Sequence, residues 1–505
     1  MAQPAKRPAT RPNILLVLTD QERQRSWIPP HLELPRRNRL RDAGIEFTNF
    51  YTNSVPCSPS RACLFTGQYL AQHGVTENVL SPHHTELSPS IPTLGSILRA
   101  VGYRTSYVGK WHLSHSNTPD MEAYGFSDWS GDDRLYMGLS GTAMEFDPDI
   151  TGQATRWLAA NAGVTSSSNE PWFLTVALVN PHDVMWFPID QPWYQEQHAD
   201  EVGKVKDFLR AGAWRGDDPI PPFPFEYDEV FDELPPNFDD DLFTKPDVHR
   251  AWLDEQNGTY YGSVSRDDTR SWLRMLDYYW WQHQQSDDNL GKVLDALDAT
   301  GQADDTIVIF TSDHGEMCGS HGLRSKGPFI YQENMNVPLY VVAPGVTAAG
   351  TVTDALATHV DLAATVVALA GADGRPEASD IRGRDLTPIL RDQRAPVRDE
   401  VLFCQDMAWY GATVHSRYAI RGSFDGTVKY GRYYGVGGST DQYGTPSRHP
   451  KRVDVDAPFE DQDHELYDLR EDPYELENLA NDRSRRKEAR ERFHHLRQLE
   501  LAEME

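Results

Sequence analysis

Cysteine is scarce in this sequence: Cys57, Cys63, Cys318 and Cys404 are the four in 505 residues. Thiols so thinly spread make no disulfide framework, and none of their spacings suits a zinc site. Long apolar runs are missing as well. The stretch Ile14 to Leu18 is followed at once by Thr19-Asp20, so it reads as a buried strand and not as the core of a signal peptide. No segment approaches the roughly 20 apolar residues that span a bilayer. A cytoplasmic location without membrane contact is therefore expected. Basic residues are in deficit, with 48 Lys and Arg against 76 Asp and Glu and a formal net charge of −28. That balance excludes a nucleic-acid backbone as partner. It leaves an anionic small substrate open, because a local cationic pocket and a metal ion override the global field.

What the sequence does have is core-forming material. Its 39% of hydrophobic residues, with 13 Trp, 22 Tyr and 19 Phe, suffice for a large α/β body. Short β-rich runs alternate with helical patterns, which predicts a mostly parallel central sheet flanked by helices on both faces. The expected strands are Ile14–Leu18, Thr105–Val108, Phe173–Val179, Ile307–Thr311 and Leu339–Val342. Leu94, Ile97, Leu98 and Val101 recur at helical spacing ahead of Gly102; Leu290, Val293, Leu294 and Leu297 do the same ahead of Gly301. Asp361 is the expected N-cap of a helix over Leu362–Ala370.

These elements define a large α/β body over residues 1–375. Within it, residues 183–285 are rich in Trp, Pro and acidic residues and lack clean periodicity. They form either an irregular surface insertion or a wall over a pocket. Residues 376–505 turn to short Tyr-, Gly- and Arg-rich strands (Tyr418–Arg421, Thr427–Tyr434). A charged helix follows from about Arg483, with Phe493, Leu496 and Leu499 on one face. This predicts a smaller C-terminal α+β subdomain with a small antiparallel sheet. The apolar face of its helix permits a homo-oligomer.

The densest chemical signal is Val55-Pro56-Cys57-Ser58-Pro59-Ser60-Arg61, followed by Ala62-Cys63-Leu64-Phe65-Thr66-Gly67. Pro59 suits the first turn of a helix and Gly67 its end. Cys57 then stands at a helix N-terminus, where free N–H groups and the dipole favour an anion. Arg61 returns to the same face one turn deeper. On these grounds alone Cys57 is either a plain buried thiol or a nucleophile beside an anion pocket.

The segment C-S-P-S-R resembles the C-x-P-x-R signature of the type I sulfatases, within the alkaline phosphatase superfamily. Downstream, Gly102-Tyr103-Arg104-Thr105-Ser106-Tyr107-Val108-Gly109-Lys110-Trp111-His112 resembles the second signature of that family, G-Y-x-T-x-x-x-G-K-W-H. Thr358-His359-Val360-Asp361-Leu362 and Leu466-Tyr467-Asp468-Leu469 look like its later landmarks. The resemblance implies an alkaline phosphatase-like fold and hydrolysis of sulfate monoesters to an alcohol and sulfate. It also implies that a maturation enzyme oxidises Cys57 to 3-oxoalanine (formylglycine), whose hydrated aldehyde is the nucleophile.

A metal site is expected where strands end. Asp20 closes the first expected strand, and Asp313-His314 follow Ile307–Thr311; ligands of open α/β sheets gather at such carboxyl ends. Oxygen donors with one amide and one imidazole suit Ca2+ or Mn2+ better than a thiolate-loving metal. The resemblance implies that Asp20, Gln21, Asp313 and His314 hold one divalent ion, with residue 57 reaching it. It further implies that Lys110 and Lys326 bind the sulfate oxygens and that His112 stabilises the hydrate. His182 or Lys326 assists the leaving group, and Arg61 with the lysines stabilises charge on the equatorial oxygens.

Lys110 and His112 alternate around Trp111, so on extended backbone both face one side. His321, close by in sequence, is expected just behind the site. Many sulfatases carry Asp-Asp and Asp-Asn where this chain has Asp20-Gln21 and Asp313-His314. Phosphonate monoester hydrolases have similar substitutions, and choline sulfatases share the Asp-His half. Two active readings therefore stand: an arylsulfatase-like sulfate ester hydrolase, and a phosphonate monoester or phosphodiester hydrolase working with the same groups. An inactive member that binds a sulfated ligand is the third.

Overall fold

The computed structural model describes residues 11–79, 85–114, 120–131, 133, 138–162, 170–211, 218–258, 261–407, 416–435 and 453–504. Nine strands build the catalytic body: β1 (Asn13–Thr19), β2 (Ile45–Phe47), β3 (Phe50–Tyr51), β4 (Arg104–Gly109), β5 (Trp172–Ala177), β6 (Thr306–Ser312), β7 (Leu339–Val342), β8 (Thr351–Thr353) and β9 (Ala357–Thr358). Seven of them form one sheet in the order β4-β5-β1-β6-β7-β2-β8, and β3 pairs with β9 apart from it. Within that sheet only β7 runs against its neighbours.

The sheet is covered on both faces, as the apolar runs require. Strand side chains alternate in direction, so β1 divides its residues between two cores. Ile14, Leu16 and Leu18 pack with the helices Cys57–Thr66, Leu94–Ala100 and His359–Leu369. Leu15 and Val17 pack with the helices Thr142–Ala160 and Thr269–Ala299. All five are fully buried, each contributing about 1.5–3 kcal/mol. That two-sided burial fixes the position of the β1 terminus, where the candidate chemistry begins.

Three sequence expectations need correction. Thr358, not Asp361, is the N-cap of the helix His359–Leu369; Asp361 sits at the third position and bonds back to Thr358 in a capping box. Residues 183–285 are only partly irregular. Helices Pro192–Gln197, Ala199–Ala211 and Asp247–Gly258 lie within them, and the last part belongs to the 31-residue helix Thr269–Ala299. Its first half buries Trp272, Met275, Leu276, Tyr278 and Tyr279 in one cluster, and its second half buries Leu290, Val293 and Leu294 in another. Burial of every residue from Met275 to Trp280 hides the helical period in the first half, whereas exposed Gln284, Asp288, Lys292 and Asp295 keep it legible in the second. Finally, the core of the catalytic body continues past residue 375, because Leu386, Ile389 and Leu390 join it.

A second sheet follows, built from β10 (Val401–Asp406), β11 (Ala419–Phe424), β12 (Val428–Tyr434) and β13 (Asp463–Asp468), all antiparallel and in chain order. The terminal helix Arg486–Met504 lays Phe493 and Leu496 against Leu402, Tyr430 and Leu466, with Leu499 at the edge. Phe493 and Leu496 of its apolar face are thus covered within the chain. Among the described residues no helix is long and apolar enough to cross a membrane.

Candidate active site

Parallel pairing sets Thr19 of β1 beside Ser312 of β6, so the residues after them are neighbours. The helix Cys57–Thr66 aims its N-terminus at the same point. Ligand atoms of Asp20, Cys57, Asp313 and His314 lie within 4.8 Å of one another, and all four residues are buried. Cys57 Sγ is 3.2 Å from His314 Nε2 and 3.7 Å from Asp20 Oδ1. His314 Nδ1 lies 3.0 Å from the Gly315 carbonyl, which only accepts. Nδ1 therefore carries a proton and Nε2 is the nitrogen turned to the cluster. Burial opposes charge on His314, but Asp313 and Cys57 raise its pKa. Two carboxylates and one imidazole, with a small side chain at position 57, fit a hard divalent cation.

The helix owes its position to its ends. Asn78 Oδ1 accepts the Ser58 N–H at 3.1 Å, and Gly67 closes the helix at φ 66°. One turn in, the fully buried Arg61 donates from Nε to Asp313 Oδ2 and from Nη2 to Asp20 Oδ2, both at 2.9 Å. Its Nη1 donates to the Lys110 carbonyl at 2.7 Å. This alters the expected part of Arg61. Its donors are directed at the two carboxylates, whose spacing it holds, and not outward at substrate oxygens. Lys110 Nζ stands 2.6 Å from Asp20 Oδ2. Burial would raise the Asp20 pKa, yet Lys110, His182 and Arg61 hold it well below the usual carboxylate range. Burial and then the charge of Asp20 push Asp313 up.

The Gly109-Lys110-Trp111-His112 segment is bent, where extended backbone was expected. Gly109 has φ 97° and His112 φ 59°. A Cβ at Gly109 would lie 2.0 Å from the Ala177 oxygen, so only glycine fits. Asp133 secures the bend by accepting the N–H groups of Trp111 at 2.9 Å and His112 at 2.6 Å. Trp111 packs 5.4 Å from Phe65 of the Cys57 helix, which ties the two signature segments together. Burial, then Lys110 and Arg61, hold the His112 pKa well below its usual value, so its imidazole is neutral.

On the opposite side Lys326 Nζ is 2.6 Å from Gln21 Oε1, 3.0 Å from His182 Nε2 and 3.1 Å from Met185 Sδ. Burial, then Lys326 and Lys110, push the His182 pKa well below normal, so Nε2 accepts from the lysine. Asp147 sets the loop ahead of His182, accepting the N–H groups of Val179 at 2.7 Å and Asn180 at 3.0 Å. Gln21 has φ 68°, a left-handed conformation that costs about 1–3 kcal/mol; its amide nitrogen donates to Glu316. His321 does not join this group. Its Nδ1 lies 2.7 Å from Asp240 and its ring stacks on Tyr331 at 3.8 Å.

Among the polar residues here that escaped the sequence reading are Glu77, Asn78, Asp133, Asp147 and Glu316. None lies in a recognisable motif, and the four acids act mainly as acceptors for backbone N–H groups. Burial pushes Glu77 up to about 8, against the N–H of Asn78 and the charge of Lys326. An unfolded glutamate titrates near 4.5. A folded pKa above the unfolded one gives stability that is full below the unfolded value and is lost as pH rises through the folded one. Glu77→Gln is therefore expected to match the wild type in thermal melts at about pH 5. Near pH 9 it should be more stable by on the order of 3 kcal/mol. Equal melting differences at both pH values would contradict this.

Together these features define a class: an α/β enzyme that works on an anion at a buried centre of paired acids, lysines and imidazoles. The chain belongs to the sulfatase family and is a sulfuric ester hydrolase. The family model described as Sulfatase matches residues 12–372, and one described as N-sulphoglucosamine sulphohydrolase, C-terminal, matches residues 319–435. The chain is 30% identical over 386 residues to the uncharacterized sulfatase YidJ of Escherichia coli K12, covering 73% of this chain and 69% of that one. It is 25% identical over 521 residues to an N-acetylglucosamine-6-O-sulfatase of Bacteroides thetaiotaomicron, covering 95% and 84%. Its fold is similar, with a TM-score of 0.70 at 20% identity, to a phosphonate monoester hydrolase from Silicibacter pomeroyi, covering 98% of this chain and 96% of that one.

Proposed function

We propose that the chain hydrolyses small sulfate monoesters, with residue 57 matured to formylglycine and one Ca2+ or Mn2+ held by Asp20, Gln21, Asp313 and His314. The observation that carries this reading is the pair of buried lysines at the cluster: Lys110 on Asp20, and Lys326 on Gln21 and His182. They bring positive charge to the cluster from two sides, where sulfate oxygens would be bound. The ion supplies Lewis-acid polarisation of those oxygens. The hydrated aldehyde supplies two hydroxyls on one carbon, one for attack and one for release.

The remaining work falls to the side chains. Arg61 fixes the carboxylates. The neutral His112 takes up a proton at the nucleophile. Lys326 directs its three N–H bonds at an amide oxygen, an imidazole nitrogen and a thioether. The thioether is the weakest acceptor, so the leaving oxygen of the ester replaces Met185 and draws the proton from Lys326. His182 Nε2 holds the ammonium in place while this happens.

Gln21 and His314 favour a second reading, phosphonate monoester or phosphodiester hydrolysis. Lys110 and His112 weigh for sulfate. Initial rates on an aryl sulfate, an aryl phosphonate monoester and an aryl phosphodiester decide between them. The expected result is the highest kcat/KM on the sulfate; a higher value on the phosphonate overturns the proposal. The mass of the peptide bearing residue 57, from protein made with a maturation enzyme, is expected to show the aldehyde.

A further inference from the structure

Glu316 has no part in the reaction above, yet it is fully buried two residues beyond His314. Its Oε1 accepts the Cys318 N–H at 2.9 Å and the Ser325 N–H, and its Oε2 accepts from Gln21 Nε2. A carboxylate only accepts, so the Gln21 amide must turn its nitrogen towards Glu316. Lys326 only donates, and it stands 2.6 Å from the amide oxygen on the other side. Two one-way partners thus fix which end of Gln21 faces which way. The backbone of Gln21 is held as firmly, its N–H on Asp313 Oδ1 at 3.1 Å and its carbonyl accepting from Tyr279 at 2.7 Å.

We propose that Glu316 is a positioning residue for the ion site: by taking the Gln21 amide nitrogen it leaves the oxygen, which here accepts from Lys326, as the ligand atom for an ion at the Asp20–Asp313–His314 cluster. The negative charge that an aspartate at position 21 would bring is carried one side chain further out. This inference rests on the metal-dependent reading proposed above.

The test is equilibrium binding of Mn2+ to metal-free protein, followed by calorimetry and independent of turnover. Glu316→Gln gives the amide a partner that both donates and accepts, so the anchor loses its direction; Mn2+ affinity is expected to fall roughly 10–100-fold. Gln21→Glu sets two carboxylates against each other and is expected to weaken binding similarly. The exchange Gln21→Glu/Glu316→Gln restores a donor facing an acceptor and is expected to recover most of the lost affinity, as non-additivity in the cycle. If Glu316→Gln alone does not fold, Gln21→Glu and the exchanged variant still carry the comparison. An exchanged variant that binds no better than Gln21→Glu, or that does not fold, overturns the inference. If the unaltered protein binds neither Mn2+ nor Ca2+, the metal reading itself fails, which is a separate outcome.

Discussion

Cys57→Ser is expected to release one equivalent of alcohol per protein from an aryl sulfate and then nearly stop. The substituted hydroxyl starts where Cys57 Sγ now lies, 3.2 Å from His314 Nε2 and 3.7 Å from Asp20 Oδ1. Attack forms a bond from that oxygen to sulfur, its hydroxyl proton passing to His112, and breaks the bond from sulfur to the leaving alcohol, which takes its proton from Lys326. The product is a sulfate ester with no second hydroxyl on the same carbon, so water alone can free it. Steady turnover should fall by about a thousandfold or more, with a burst ahead of it. Cys57→Ala has nothing to attack with and should lose roughly a millionfold in kcat without a burst. Stopped-flow release of the chromophore and the intact mass of the stalled protein, heavier by one SO3 unit, check both variants. Steady turnover by the serine variant at the wild-type rate would remove the need for an aldehyde.

The parts of this site that were legible in the sequence are those whose chemistry is local. Cys57 and Arg61 lie one helical turn apart, and Asp20 and Asp313 each follow a short apolar strand. Their meeting could be expected because parallel strands end on one edge of the sheet. Contacts between a side chain and backbone distant in sequence were not legible. Asp133 is held against the N–H groups of Trp111 and His112, and Asp147 against those of Val179 and Asn180. No periodicity encodes such a pairing, because the acceptor meets backbone and not a patterned side chain. The bend at His112 was hidden for the same reason: a left-handed residue other than glycine leaves no compositional mark. Only the first half of the helix Thr269–Ala299 was obscured, because Met275 to Trp280 are all buried; the second half showed its period at Leu290, Val293, Leu294 and Leu297. Conversely, the part expected of Arg61 was contact with substrate oxygens, whereas here it donates to Asp313 and Asp20. Its guanidinium reaches the acids first, because burial makes an unpaired carboxylate far more costly than an unpaired substrate oxygen that is not yet there.

That ordering yields a strong expectation for Arg61→Met, which keeps the volume and removes the charge. Asp313 Oδ2 loses its guanidinium partner, leaving Oδ1 with the N–H groups of Gln21 and His314 at 3.1 and 2.9 Å. Asp20 keeps Lys110. Breaking one side of a buried ion pair costs about 3–5 kcal/mol, so the metal-free variant should melt well below the wild type at about pH 8. The deficit has a definite pH sign. Burial and Asp20 already raise the Asp313 pKa, and loss of Arg61 raises it further. Stability from a raised carboxyl is present below its unfolded pKa and is lost as pH rises through the folded one. The deficit should therefore shrink on acidification, as Asp313 takes up a proton and no longer needs a partner. A divalent ion offers the same relief at constant pH, because its charge stands in for the guanidinium. At a hundredfold excess over its dissociation constant it adds about 2.7 kcal/mol to whichever form binds it. With the Arg61 charge gone the variant should bind Mn2+ more tightly than the wild type, so one Mn2+ concentration stabilises it more and narrows the gap in melting temperature, without restoring activity, since the carboxylates are no longer held at one spacing and misplacement by about 1 Å costs on the order of a hundredfold. Thermal melts at both pH values, with chelator and with Mn2+, measure every arm. A metal-free variant as stable as the wild type at pH 8 would show that Arg61 does not hold Asp20 and Asp313 together.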